Sequence, residues 1–532
     1  MIRNPILPGF NPDPSICRVG KSYFIATSTF EWFPGVQIHR SDDLVNWDLA
    51  CRPLDRASQL DMRGNPDSCG IWAPCLSHAD GLFWLVYTDV KRYDGNFKDA
   101  HNYIVTAPAI EGPWSDPVYV NSSGFDPSLF HDEDGRKWFL NMQWNHRGNS
   151  LGGQPKSPAF DGILLQEWHQ KHGLTGPVRN IFPGSPLGLV EGPHLFKRNG
   201  WYYLTTAEGG TGYTHAVTMA RARSIHGPYE MHPNTHLITS KDHPDAALQR
   251  AGHGQIVETP TGEVYHTHLC SRPLPGRFSP LGRETAIQKC VWGADDWLYL
   301  DHDGPVPALD VPAPADVSPR APQPVRRVFD MTQLPAEFQW LRSPEPSRLF
   351  TLTGSALRLH GRESVGSWFE QALVARRQEH LHYRAETELA AFAPDTYQQA
   401  AGLTTYYNRH KFHFAAVTLD EAQGRCLTIM SCPGVWPDGA MIWPCDPVPL
   451  ADGPVRLAVE CRGAVQQFYW QQGGGDWTAL GPELDAAVIS DEGGRGEHGS
   501  FTGAFVGMLA FDITGRGQSA DFTSFDYLPA PD

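Results

Sequence analysis

Five segments of this chain share one punctuation: Asp13-Pro14-Ser15-Ile16, Ala73-Pro74-Cys75-Leu76, Asp126-Pro127-Ser128-Leu129, Gly192-Pro193-His194-Leu195 and His253-Gly254-Gln255-Ile256. Aligned on Pro14, Pro74, Pro127, Pro193 and Gly254, they recur at intervals of 60, 53, 66 and 61 residues. Each opens a strand, passes a Gly/Asp/Asn-rich turn and returns through an aromatic strand, as in Tyr23-Phe24-Ile25 or Trp201-Tyr202-Tyr203. A unit repeated five times at near-constant spacing points to radial repetition, a propeller of β-sheet blades. Equivalent positions in a closed ring converge on its axis. Asp13 and Asp126 stand just before the proline and Glu191 one residue further upstream, so three carboxylates distant in sequence are expected in one pocket.

The repeats occupy residues 1–303, and outer-strand aromatics such as Trp47, Trp114 and Tyr229 are expected to seal blade against blade. Seven prolines in residues 304–324 read as a semi-rigid linker without a sheet ladder. Period-2 stretches recur from 325 to 532, among them His382–Leu389, Lys411–Val417 and Val455–Cys461, and predict a β-sandwich. The fold class expected is therefore all-β, a five-bladed β-propeller followed by a β-sandwich, with no long helix. A net charge of −16 repels phosphate backbones and argues against nucleic acid. No apolar run reaches the ~18 residues of a membrane span. The N-terminus runs into Asn11-Pro12-Asp13 without a signal-type segment, and none of the ten cysteines forms a Cys-x-x-Cys pair. A cytoplasmic protein with reduced thiols is expected. Cys75 falls close to the pocket in the repeat alignment.

Glycoside hydrolysis needs an acid to protonate the leaving oxygen and a second carboxylate across the anomeric carbon. Asp-Pro and Glu-Gly-Pro are, singly, ordinary turn sequences, but turn formation does not demand registration with a 60-residue period. In combination, Asn11-Pro12-Asp13-Pro14-Ser15, Thr27 to Gly35, Gly70-Ile71-Trp72-Ala73-Pro74, Gly124 to Ser128, Glu191-Gly192-Pro193-His194 and Gly282 to Ala286 resemble glycoside hydrolase family 43, specifically its β-xylosidases. The resemblance runs over nearly the whole chain, C-terminal sandwich included. It implies Asp13 as general base, Glu191 as general acid and Asp126 as the residue that orients the acid and raises its pKa. It also implies inversion and an exo-acting β-1,4-xylosidase releasing xylose from the non-reducing ends of xylo-oligosaccharides.

By the same resemblance Phe30 and Trp72 enclose the sugar, Arg283 hydrogen-bonds its hydroxyls, and Phe501 reaches over the pocket from the sandwich, with Phe505 as the alternative match. His253 is expected beneath the pocket, touching a central Ca²⁺ through its hydration shell; no organic cofactor is expected. His266 and His268 share a strand face, but no third ligand at useful spacing makes them a zinc site. The segment from Trp144 to Phe160 is longer than the corresponding family loop. The family's assembly through both domains implies a homo-oligomer. Two other readings stay open: an α-L-arabinofuranosidase or dual activity, and a non-catalytic carbohydrate-binding propeller using the chain's 17 tryptophans as stacking platforms. A propeller interaction scaffold, which would not depend on these acids, is a further reading.

Overall fold

The computed structural model describes residues 1–147, 159–434, 440–494 and 500–530. Five antiparallel sheets form the blades. The first holds Ser15–Val19, Ser22–Thr27, Gln37–Ser41 and Asp48–Cys51; the second Gly70–Ala79, Leu82–Arg92, Asp99–Ala107 and Val118–Asn121. The third runs Ser128–His131, Lys137–Trp144, Phe160–His169 and Gly173–Phe182, and the fourth Glu191–Arg198, Trp201–Glu208, Ala216–Ala222 and Glu230–Thr239. In the fifth, Gln249–Gly252 and Ile256–Glu258 both pair with Val264–Ser271, followed by Glu284–Trp292 and Leu298–Leu300. Two 3-10 turns, Pro346–Arg348 and Ala486–Val488, are the only helical elements among the described residues.

The repeated punctuation has a backbone cause. The residue before Pro or Gly is left-handed in all five blades: Asp13 (φ 57°), Ala73 (37°), Asp126 (54°), Gly192 (56°) and His253 (42°). Such a conformation costs a non-glycine residue about 1–2 kcal/mol. The chain is tipped at that residue before the fixed φ of proline restores extended backbone. The expectation that every motif opens a strand holds in the first and third blades. In the second and fourth the strand begins upstream, at Gly70 and Glu191, and the motif is a bulge in the ladder. Proline has no N–H to give the ladder, so pairing skips it. In the fifth blade the motif separates two short strands.

The ring is closed by the N-terminal segment. Ile2–Arg3 pairs antiparallel with Asp310–Val311, and Leu7 exchanges backbone hydrogen bonds with Thr285. Asn4 acts as one more ladder position: its Nδ2 donates to Ile287 O at 2.8 Å and its Oδ1 accepts from Ile287 N at 2.9 Å. The proline-rich stretch thus does keep a short ladder, because Asp310 and Val311 fall between prolines and retain their N–H groups. It is also tied to the first blade, where Arg320 clasps Asp48 through two contacts of 2.9 Å.

The sandwich stacks a sheet built around His382–Leu389, Val455–Arg462 and Ala520–Pro529 on one built around Gln399–Asn408, Lys411–Asp420 and Phe505–Asp512. It is joined to the propeller by backbone as well as side chains. Trp32–Phe33 of the first blade pairs with Trp340–Leu341, and Trp32 stacks on Phe505 with ring centroids 3.6 Å apart. One apolar core runs without interruption from Val36, Ile38 and Leu85 through Phe33 and Trp340 to Leu403 and Phe525.

Candidate active site

The left-handed turns gather the three carboxylates at one end of the propeller axis. Asp13, Asp126 and Glu191 line a single cavity of about 260 Å³ and are 5%, 6% and 9% exposed. Asp13 and Asp126 occupy the left-handed position itself. Blade four has Gly192 there and supplies Glu191 from one residue upstream; blade two has Ala73 there and supplies Trp72 in the same way. Phe30, Arg283, His253 and Phe501 complete the set, so all eight residues singled out in the sequence share this cavity.

Asp13 Oδ1 accepts from Arg283 Nη1 at 2.9 Å, and Oδ2 from Ser28 Oγ at 2.6 Å. His253 Nδ1 lies 3.8 Å from Oδ1. Burial works to raise the Asp13 carboxyl, but Arg283, His253 and the Ser28 hydroxyl outweigh it and hold it below the usual carboxylate range. Glu191 moves the other way, pushed up to about 8 by burial first and the Asp13 carboxylate second, against the pull of Arg283 and Lys98. Burial, rather than the Asp126 anion expected from sequence, is thus the leading cause. Asp126 is itself driven well up by burial, by Glu191 and by Asp13. Its Oδ2 accepts from Gly192 N at 3.1 Å, so it grips the backbone beside Glu191. The result is one carboxyl drawn down and two driven up around a single cavity.

Aromatic rings enclose that cavity. Trp72 lies 5.7 Å from Phe30 and 6.1 Å from Phe501, centroid to centroid. The choice between Phe501 and Phe505 is resolved: Phe505 is fully buried against Trp32, and Phe501 lines the cavity. Arg283 is buried rather than outward-facing. Its Nη2 donates to Phe501 O at 2.9 Å, and its Nε is buried with no hydrogen-bond partner among the described residues.

Sequence reasoning missed Tyr93, Lys98 and His215, which also line the cavity. Lys98 donates to Tyr93 O and lies 4.2 Å from the Trp144 ring centroid. Burial lowers its pKa to about 8. Tyr93 and Lys98 lie in and after the turn closing Leu82–Arg92, where no repeat marks them. Most of the long loop after Trp144 lies outside the described residues.

The five residues that follow the left-handed turns, Ser15, Cys75, Ser128, His194 and Gln255, offer polar side chains from every blade. Ser15 Oγ donates to Gln255 Oε1 at 2.7 Å, Cys75 Sγ lies 3.9 Å from His194 Nδ1, and Ser128 Oγ is buried without a partner among the described residues. No group of three or more His, Cys, Asp or Glu among the described residues could hold a metal ion directly. Ca²⁺ takes six to eight oxygen ligands, and Ser15, Ser128 and Gln255 offer three side-chain oxygens, too few to hold it directly. His266 and His268 are each tied by Nδ1 to a neighbouring carbonyl, Thr267 O and Leu269 O.

A propeller that collects three carboxyls, one drawn down and two driven up, in an aromatic-walled cavity closed by a sandwich loop defines a two-domain glycoside hydrolase. The sequence matches "Glycosyl hydrolases family 43" over residues 2–298 and "Beta xylosidase C-terminal Concanavalin A-like domain" over residues 326–528. This chain belongs to glycosyl hydrolase family 43. It is 58% identical to Xylosidase/arabinosidase 43B of Humicola insolens, over 99% of this chain and 98% of that one. It is 46% identical to Beta-xylosidase of Bacillus subtilis (strain 168), over 99% of both. The crystal structure of xylan beta-1,4-xylosidase from Bacillus halodurans C-125 superposes with a TM-score of 0.95 at 48% identity, over 99% of this chain and 100% of the other.

Proposed function

We propose that this enzyme is an exo-acting β-1,4-xylosidase that removes xylose from the non-reducing end of xylo-oligosaccharides in one inverting displacement. The observation that carries the reading is the convergence of Asp13, Asp126 and Glu191 in one aromatic-walled cavity, with Asp13 gripped by Arg283 and Ser28 and Asp126 bonded to the backbone beside Glu191. Asp13, ionised, takes a proton from the attacking water. Glu191, protonated, gives its proton to the departing glycosidic oxygen. Asp126 holds the Gly192 backbone and so fixes the approach of Glu191. Arg283 favours the charged form of Asp13 and lines the cavity that takes the sugar. Phe30, Trp72 and Phe501 cover the sugar faces. Proton NMR of xylobiose hydrolysis is the test: α-xylose forms first at the cleaved end, and β-xylose formed first would sink the assignment.

The name of the Humicola relative favours a second activity on α-L-arabinofuranosides. Aryl α-L-arabinofuranoside is expected to turn over more slowly than aryl β-xyloside. A water-held Ca²⁺ beneath His253 belongs to the same reading, and added Ca²⁺ would then raise Tm by preferential binding to the folded state. The reading is completed by a cytoplasmic homo-oligomer. Ten free thiols support the compartment, and light scattering would measure the assembly.

A further inference from the structure

Ser68 stands outside the cavity lining but touches three of the things that shape it. It lies in the loop Asp67-Ser68-Cys69-Gly70 before the inner strand of blade two, buried and left-handed at φ 60°. Its three hydrogen-bonding groups go in three directions. The backbone N–H donates to Glu31 Oε2 at 3.1 Å, next in sequence to Phe30. The backbone carbonyl accepts from Trp72 Nε1 at 2.9 Å. The hydroxyl accepts from the backbone N–H of Phe501 at 3.0 Å. The neighbouring Asp67 is anchored to the sandwich by Arg342 Nη2 at 2.8 Å and Arg409 Nε at 3.0 Å. Arg342 also donates its backbone N–H to Glu31 O at 2.9 Å and its Nε to Asn65 O at 2.7 Å.

The Phe501 residue is therefore pinned from both sides by the propeller. Blade two accepts its N–H through Ser68, and blade five reaches its carbonyl through Arg283, the same guanidinium that holds Asp13. A loop carried by the sandwich is set in place by two propeller side chains, one of which also bonds the base.

We propose that Ser68 is a positioning residue for sugar recognition, fixing the Phe501 wall against the Trp72 wall so that the glycone site has one width. The proposal rests on the β-xylosidase reading and adds a specificity determinant to it. Ser68 touches no reacting atom, so its removal acts on the fit of the sugar more than on the chemical step. Losing one buried hydrogen bond of this kind corresponds to a change of about tenfold.

The experiment measures aryl β-xyloside kinetics and competitive inhibition by xylose for the wild type, Ser68→Ala, Phe501→Ala and the double variant, with Tm as a check of folding. Ser68→Ala is expected to raise KM and the xylose Ki together by about tenfold, with a smaller loss in kcat. In the Phe501→Ala background the same change is expected to add less than about twofold, because the group it positions is gone. Unchanged KM and Ki in a folded Ser68→Ala, or fully additive effects in the double variant, overturn the role of Ser68. Should the alanine variant fail to fold, Ser68→Cys carries the comparison: its thiol is a weaker acceptor in the same place, and KM should lie above that of the wild type. A wild type that does not turn over the β-xyloside overturns the xylosidase reading itself, whereas an active wild type with indifferent variants overturns only Ser68.

Discussion

At the scale of the residue, the site works by making like groups unlike. Asp13 and Glu191 are both buried carboxyls, yet Arg283 and Ser28 contact the first directly while the second has burial and a neighbouring anion. Activity is therefore expected to fall at high pH as Glu191 loses its proton near pH 8, and at low pH only below the ordinary carboxylate range, where Asp13 gains one. Lys98 offers a way to move one limb. Its cation favours the charged form of Glu191, so Lys98→Met should raise the pKa of the acid and shift the alkaline limb of kcat/KM upwards. A downward or absent shift in the pH–rate profile would show that Lys98 does not act on Glu191. Lys98 was illegible in the sequence because it belongs to a turn outside the repeat. Asp13, Asp126 and Glu191 were legible because a left-handed residue before proline leaves a sequence mark in each of their three blades.

At the scale of the element, the bulged inner strands of blades two and four show how one repeat serves two purposes. A small residue at the left-handed position, Ala73 or Gly192, passes the functional task to the residue before it, Trp72 or Glu191. Gly192 has a further reason to be glycine: a Cβ there would come within 2.9 Å of the His253 ring. Gly192→Ala should displace that imidazole from Asp13 and disturb the Asp126 contact, lowering kcat/KM by about tenfold or more while costing about 1–2 kcal/mol of stability. Steady-state kinetics and chemical denaturation would measure both, and wild-type kinetics would refute the close approach. The period-2 stretches located strands such as His382–Leu389, Lys411–Asp420 and Val455–Arg462 but not the central Phe505–Asp512 and Ala520–Pro529. Their partners, and the start of blade strands ahead of the proline, were not readable, because pairing is settled by packing between segments far apart in the chain.

At the scale of the molecule, two sequence matches with separate boundaries share one core. Phe33, Trp340 and Phe338 belong to the same buried cluster as Leu85 and Leu403, and Arg52 of the first blade donates to Ala336 O. Stability should accordingly be common property. A calorimetric scan is expected to give one cooperative transition, and a chain cut after residue 303 should be inactive and prone to aggregate through the exposed face around Trp32 and Phe33. Two well-separated transitions would mean that the halves unfold independently. The sequence reading divided the chain into two domains and a linker. It did not show that Trp32–Phe33 would complete its ladder with Trp340–Leu341, since neither dipeptide carries a strand pattern of its own.

The bond from the Phe501 N–H to Ser68 spans 433 residues, and the Ile2–Arg3 clasp waits for Asp310–Val311. On a ribosome adding about 5–20 residues per second, the first strand is left without its partner for most of the time the propeller takes to be made. The carboxylates have all been synthesised by residue 191, but the ring is not sealed until residue 311 emerges, nor the pocket covered until residue 501 does. A nascent chain thus carries its acid and base long before residue 501 is present to close the cavity over a sugar.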